Sequence, residues 1–413
     1  MRFISKTKYP LFFLTIISIA VYFSIFFSIN SKVCYEIMFS SPDARSYKDV
    51  ADWILYHTES ESVSIRPILY PLLILVSNSI GGIYGIWFLQ FTFWILSINF
   101  TFLAVKRITN SNTYAILGSI FLISNLSLIA LTLHGLTEVT TVFLLSILVL
   151  YIARKKEEYL SPNFFNVCTL LLVLLTLVKP TFYLPLLAVL FIGFPFIYFR
   201  KFIKKPAHFL KLALILLPLI VQLSIIKTKY GELKVSLIGS ITLREYILPQ
   251  GVEKVEGISF DEARIKSREF ARKEQLEYMT NHLPTYLNLF FTNIKDNLKG
   301  SPTFLLYPEG YENQGLAKYE SKYNKAYFIL AIILTALTIP ILILLYKHRS
   351  FTPLVFLLIT CALWLYYILV TGISFWQGDR LTLPSVMIFA SVFPVIIFQY
   401  FEILTKRKNN KPT

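Results

Sequence analysis

Apolar segments of about 16 to 24 residues, the length that crosses a bilayer as a helix, dominate this chain. They fall at 10–31, 83–105, 113–131, 138–153, 163–178, 181–199, 209–228, 326–346, 352–371 and 381–404. No water reaches the backbone inside lipid, so each segment has to pair its own amides and carbonyls and is driven into a helix. The expected fold is an all-α polytopic membrane protein with about ten transmembrane helices. Composition agrees: 55% of residues are hydrophobic, against roughly 45–50% in soluble domains. An eleventh apolar piece, 66–80, is short, contains Pro67 and Pro71 and begins with Arg66. Those features suit an interfacial or re-entrant segment better than a span.

Charge sets the expected orientation, because Lys and Arg in short loops stay on the cytoplasmic side. With ten spans, the basic groups at 2–8, 106–107, 154–156, 200–211, 347–349 and 406–411 all share one side. The short outer segments keep only Lys32, Arg45, Lys48, Arg66, Lys179 and Arg380. Counting 66–80 as a span would throw most of the later basic loops outside. Both termini are therefore expected to be cytoplasmic, in a multi-pass protein of the plasma (inner) membrane. The Lys, Ile and Asn bias points to a bacterial one. The net charge of +16 then reflects orientation, not nucleic-acid binding. Cys34, Cys168 and Cys361 offer no plausible disulfide pair. The basic start and long first apolar stretch read as a retained first span.

Three regions follow. Residues 1–228 form a transmembrane region with a first outer loop at 32–82. Residues 229–325 form an extracytoplasmic loop domain, and 326–413 a C-terminal transmembrane region. Loops this long usually carry function. In the second, Ser259-Phe-Asp-Glu262 has capping-box spacing, predicting a helix from 260 to about 281. Pro284 opens an amphipathic stretch, 285–298, expected on the membrane surface, and 301–325 reads as an irregular loop that could cover a site. The outer region before the last three spans is thus mainly helical.

Several charged residues sit where charge is costly. After Pro42, the positions Tyr47, Val50, Ala51, Ile54 and Leu55 share one helical face, describing an interfacial helix with Asp43 at its start. Asp43 is open to two compatible readings, a helix cap and a carboxylate base held at the outer surface. Glu138 opens the fourth span. It is either a carboxylate favoured by the positive end of a helix or a group that binds substrate or metal. His134 lies one turn earlier. Asp43, Glu138 and His134 are candidates for a divalent cation, although no ligand-spacing motif supports the set. Lys179 and Arg380 break the positive-inside bias. They are either snorkelling anchors or, with Arg66, a cationic site for a phosphate or pyrophosphate at headgroup depth.

Taken in order, these motifs resemble the GT-C class of membrane glycosyltransferases, in particular the branch of protein O-mannosyltransferases and lipid A aminoarabinose transferases. The resemblance spans most of the chain. It rests on Asp43 followed by Tyr47 and Ala51, on Arg66-Pro-Ile-Leu-Tyr-Pro-Leu-Leu73, and on Leu136-Thr-Glu138. Leu177-Val-Lys-Pro180, His282-Leu-Pro-Thr-Tyr-Leu287 and Asp379-Arg-Leu-Thr-Leu-Pro384 complete it. Two positions depart from the family pattern: Ile68 stands where a second proline is expected, and Lys179 where the family usually has arginine. The resemblance implies transfer of a sugar from a polyprenyl-phosphate carrier to a glycan, lipid or protein acceptor on the outer face of the membrane. It implies Asp43 as base, with Tyr47, Arg66, Tyr70, Glu138, Lys179 and Arg380 binding substrate. It also implies a carrier lipid entering sideways between spans. An apolar groove is needed for that tail, and 36 Phe and 25 Tyr offer ample wall. Family members differ in metal dependence, so a divalent cofactor stays open.

Residue chemistry agrees independently. A hydroxyl attacks only when a carboxylate takes its proton. The departing phosphate needs cations rather than a proton. Direct displacement inverts the anomeric centre. A surface-polysaccharide polymerase or ligase is the nearest alternative, and would lean on Arg244, Arg264, Arg268 and Arg272 of the long loop. The last three of these fall on a glutamate-rich helix that reads as a solvated face. A transporter would show paired broken helices and mid-span polar groups; Asn99, Asn125, Gln222 and Gln399 are merely scattered.

Overall fold

The computed structural model describes residues 2–29, 32–155, 158–300, 314–374 and 378–409. All of its regular structure is helical, and no strand occurs among the described residues. Seven helices there are long and apolar enough to cross a membrane, or eight if one bent pair counts as a span. The chain is a multi-pass, all-α membrane protein. Most of each of the ten apolar segments is helical: α1 (Arg2–Ser28), α4 (Leu69–Thr109), α5 (Asn112–Ile123) with α6 (Leu126–Ala130), α7 (Glu138–Arg154), α8 (Pro162–Val178), α9 (Pro180–Ile203), α10 (Ala207–Tyr230), α16 (Gln314–Lys347), α17 (Phe351–Thr371) and α18 (Leu383–Asn409). The first outer loop supplies α2 (Tyr35–Met38) and α3 (Pro42–Tyr56). The second supplies α11 (Ile238–Thr242), α12 (Leu248–Glu256), α13 (Phe260–Glu269), α14 (Arg272–Asn281) and α15 (Leu283–Leu298).

At the centre of the bundle lie α18, α7, α5 and the C-terminal arm of α4. In the apolar part of α18, 83% of residues are buried, with Val386 to Ala390 sealed on every side. Close approach there needs a residue with no side chain: a Cβ on Gly118 of α5 would stand 2.5 Å from the Ala390 carbonyl oxygen. Small residues at helix contacts are what lipid-embedded bundles use when apolar burial alone gives no preference. By contrast α9 and α10 are peripheral and leave Phe191, Phe196, Leu210 and Leu214 exposed, a surface suited to acyl chains.

Three expectations need correction. The 113–131 segment is bent by 60° between α5 and α6, where Asn125 caps α6 by accepting from Leu128 N at 2.7 Å. The single helix expected from 260 to about 281 is two helices. The capping box of Ser259 and Glu262 starts α13 as the spacing predicts, but Phe270 and Ala271 turn extended and the Glu274 carboxylate accepts from Ala271 N at 2.6 Å. This second cap has no Ser or Thr to announce it. The loop expected over 301–325 is helical from Gln314 onward; residues 301–313 lie outside the described residues. The three cysteines are free, as the sequence implies.

Segment 66–80 does not stand alone. It is helical from Leu69 and belongs to α4, but Gly81 and Gly82 leave helical geometry, Gly82 with φ +57°. The chain doubles back so tightly that a Cβ on Gly85 would lie 2.1 Å from the Ser77 carbonyl oxygen. The α4 stretch is therefore a helical hairpin with a short first arm rather than one straight rod. That arm begins where the two outer regions meet. Leu237 N donates to Ser64 O at 2.7 Å and Ser236 Oγ to Ile65 O at 2.8 Å. Gln222 accepts from Ile68 N at 3.1 Å and donates to Val235 O at 2.9 Å.

Candidate active site

Five separate points of the chain deliver charge to one place. Asp43 lies in the first turn of α3. Ser41 is the cap, accepting from Ala44 N at 3.2 Å, which frees the Asp43 carboxylate from that duty. Arg66 follows a short turn, Glu61–Ser64, in the same outer loop. Glu138 opens α7 beside its unpaired amides, where a carboxylate is favoured. Lys179 ends α8, and Arg380 sits in a short 3-10 turn, Gly378–Thr382, ahead of α18.

All five side chains interlock. Arg66 donates to Asp43 Oδ1 from Nη2. Arg380 Nη1 lies 2.6 Å from Asp43 Oδ2, and its Nε 2.8 Å from Glu138 Oε1. Lys179 Nζ meets that same Glu138 oxygen at 3.2 Å. Three cations thus face two carboxylates, and Arg380 bridges both. Glu138 is sealed, while Arg66, Arg380 and Lys179 keep only 10–13% of their side chains exposed. Asp43 is the open member at 32%. Burial disfavours its charge, but Arg380 and Arg66 outweigh burial and hold its pKa down at about 2.

The tyrosines complete a wall. Arg66 stacks over the Tyr47 ring at 4.6 Å and donates from Nε to Ser46 Oγ at 2.7 Å. Tyr47 meets Tyr70 edge to face at 5.1 Å. Tyr70 Oη and Glu138 Oε2 are buried and find no partner among the described residues. Unsatisfied polar atoms at this depth are costly and cluster where a ligand supplies what the protein lacks.

The sequence-predicted residues Asp43, Tyr47, Arg66, Tyr70, Glu138, Lys179 and Arg380 are therefore brought together. Lys179 and Arg380 are not headgroup anchors: both point into the protein. The trio proposed for a divalent cation is not gathered as a ligand set. No group of three His, Cys, Asp or Glu side chains close enough to hold a metal occurs among the described residues. His134 packs below the site, with Ser40 Oγ at 3.5 Å from its Nδ1. Its carbonyl oxygen accepts from Gln90 Nε2 at 2.6 Å. Burial and the nearby Arg380 push it down to about 4, leaving the ring neutral near pH 7.

Sequence reasoning missed the support behind Arg380. Its neighbour Asp379 turns the other way and accepts from Ser127 Oγ, and from Asn324 Nδ2 at 3.1 Å. Glu320 of α16 accepts from Leu126 N at 2.8 Å. Ser127 and Asn324 are too ordinary in a sequence to announce such a role, and the acids Glu320 and Asp379 lie in or beside segments read as loops. The loop arginines have a partner that the sequence does not announce. Arg264 and Arg268 are solvated, with 37% and 51% of their side chains exposed, but both also clasp Glu245, at 2.9 and 2.6 Å, while Arg272 opens the next helix. A search of known protein families, curated proteins and solved structures finds nothing that matches this chain, so the interlocked charges must carry the functional argument alone.

Proposed function

We propose that the chain is an integral membrane glycosyltransferase of the GT-C class, moving a sugar from a polyprenyl-phosphate carrier to an acceptor hydroxyl on the outer face of the plasma membrane. The observation that carries this reading is the meeting of Asp43 with Arg380, and of Arg380 and Lys179 with one oxygen of Glu138. A partly open carboxylate beside two cations fixed by a buried anchor provides for both halves of the reaction. The acceptor oxygen attacks the anomeric carbon and its proton passes to Asp43. The bond from anomeric carbon to phosphate oxygen breaks, and its electron pair stays on the phosphate, neutralised by Arg380 and Lys179. Attack opposite the leaving group inverts the anomeric centre. The distribution of Lys and Arg supports a topology with both termini cytoplasmic, in which this site faces outward.

Arg244, Arg264 and Arg268 all pair with Glu245, and this supports the transferase reading over the polymerase reading, which calls on these arginines. The test uses purified protein in nanodiscs with a panel of polyprenyl-phosphate sugars. Release of polyprenyl phosphate from one donor, lost in Asp43→Ala, is the expected result. No release from any donor by folded protein, even with cell extract as a source of acceptor, would overturn it.

A further inference from the structure

Arg66 lies on a stretch of backbone that does not hold itself. Residues 65–68, between the Glu61–Ser64 turn and the start of α4, belong to no helix, and Pro67 has no amide to donate. Arg66 N reaches back to Ser62 O at 2.9 Å, but the residues on either side are fixed from another part of the chain. On the near side, Leu237 N donates to Ser64 O at 2.7 Å and Ser236 Oγ to Ile65 O at 2.8 Å. On the far side, Ile68 N donates to Gln222 Oε1 at 3.1 Å, and Gln222 Nε2 donates to Val235 O at 2.9 Å. Gln222 thus ties the far side of Arg66 to the same short segment, 235–237, that holds the near side.

The placement of Gln222 points the same way. In the apolar part of α10 only 17% of residues are buried, yet Gln222 is sealed at 0% exposure with both ends of its amide bonded. A buried amide costs free energy unless it is bonded, and here its partners are the backbone beside Arg66 and the segment that braces it. We propose that Gln222 is a positioning residue: with segment 235–237 it clamps the 64–68 backbone and so sets where Arg66 meets Asp43. Arg66 donates to Asp43 Oδ1 while its Nε rests on Ser46 Oγ at 2.7 Å, so a displaced backbone carries the guanidinium, and the direction of the carboxylate, away from the attacking hydroxyl. This rests on the transferase reading above, and it gives the first residues of the second outer region a task at the site: they brace the loop that carries its arginine.

Gln222→Met keeps the size of the side chain and removes both hydrogen bonds. Wild type, Gln222→Met, Arg66→Lys and the double variant, each as the full chain in nanodiscs, are compared for kcat and KM in release of polyprenyl phosphate from the sugar donor that wild type accepts. Misplacing a group beside the reacting atoms falls on turnover more than on binding. Gln222→Met should therefore lower kcat about tenfold and leave KM within about threefold. In the Arg66→Lys background, where the forked hold on Asp43 and Ser46 is already lost, the same change should cost less than about threefold, a non-additivity that traces the effect through Arg66. A merely structural role would scale the amount of active protein and give one factor in both backgrounds. That result would overturn the clamp, as would an unchanged kcat in Gln222→Met. Ser236→Ala, which cuts the link to Ile65 O on the other side of Arg66, is the second variant should Gln222→Met fold poorly, and should show the same dependence on Arg66. Absence of release by wild type from every donor, even with cell extract, would instead overturn the transferase reading and this role with it.

Discussion

Replacing Glu138 by Gln keeps shape and one hydrogen-bonding oxygen but removes the charge that two buried cations share. Glu138 is fully enclosed, and its Oε1 lies 2.8 Å from Arg380 Nε and 3.2 Å from Lys179 Nζ. In the wild type three cations meet two carboxylates. In the variant three meet one, and that one, Asp43, is already committed to two arginines. Breaking a buried pair by neutralising one partner costs about 3–5 kcal/mol because a desolvated charge is left behind. Since Gln can still accept, the loss should fall near the lower end, about 3 kcal/mol. Unfolding in mixed micelles of increasing dodecyl sulfate fraction, followed by circular dichroism, would measure it. If the loss comes from an orphaned ammonium, Glu138→Gln combined with Lys179→Met should lose at least about 1 kcal/mol less than the sum of the two single changes. A loss under about 1 kcal/mol in the single variant, or strict additivity in the double, would refute the reasoning.

Two further outcomes follow from the geometry. Asp43 is depressed to about 2, below the usual value near 3.9, so its ionised form favours the folded state. Its stabilisation, about 1–2 kcal/mol once discounted for its partial exposure, is present above about pH 4 and lost as pH falls toward 2. The gap in thermal midpoint between wild type and Asp43→Asn should therefore be full at pH 6 and shrink by pH 3. In the α4 hairpin, Gly85→Ala drives a Cβ into the Ser77 carbonyl and should cost about 3 kcal/mol. Gly81→Ala meets nothing within 4 Å and should stay within about 1 kcal/mol in the same unfolding assay.

The fold was legible where physics leaves few options. Apolar length located the helices, the cost of an acid at membrane depth singled out Glu138, and the break in the positive-inside bias singled out Lys179 and Arg380. Helix capping was legible at Ser259, whose hydroxyl advertises it. It was silent at Ala271, where a carboxylate three residues later does the work from a position common in any helix. The hairpin at Gly81 and Gly82 was half legible: Pro67, Pro71 and Arg66 argued against an ordinary span, but only the close approach of Gly85 to Ser77 reveals the reversal. Asn324 and Ser127 could not be read at all, because amides and hydroxyls serve many purposes and only tertiary placement selects one.

The join between the outer region and the bundle constrains how this protein could be recombined. Asn297 donates to the carbonyls of Thr371 and Ser374, and Asn293 to that of Gly372. A Cβ on Gly300 would fall 2.5 Å from the Gly378 carbonyl carbon, and Asn324 grips Gly300 O and Asp379 together. The C-terminal half of α15 therefore belongs mechanically to the membrane part, although the sequence groups it with the loop. A chimaera that exchanges these loop helices should place its seam at the extended Phe270–Ala271 joint or the turn at His282, upstream of those asparagines. A cut at 300 would graft a foreign clamp onto the turn that carries Arg380.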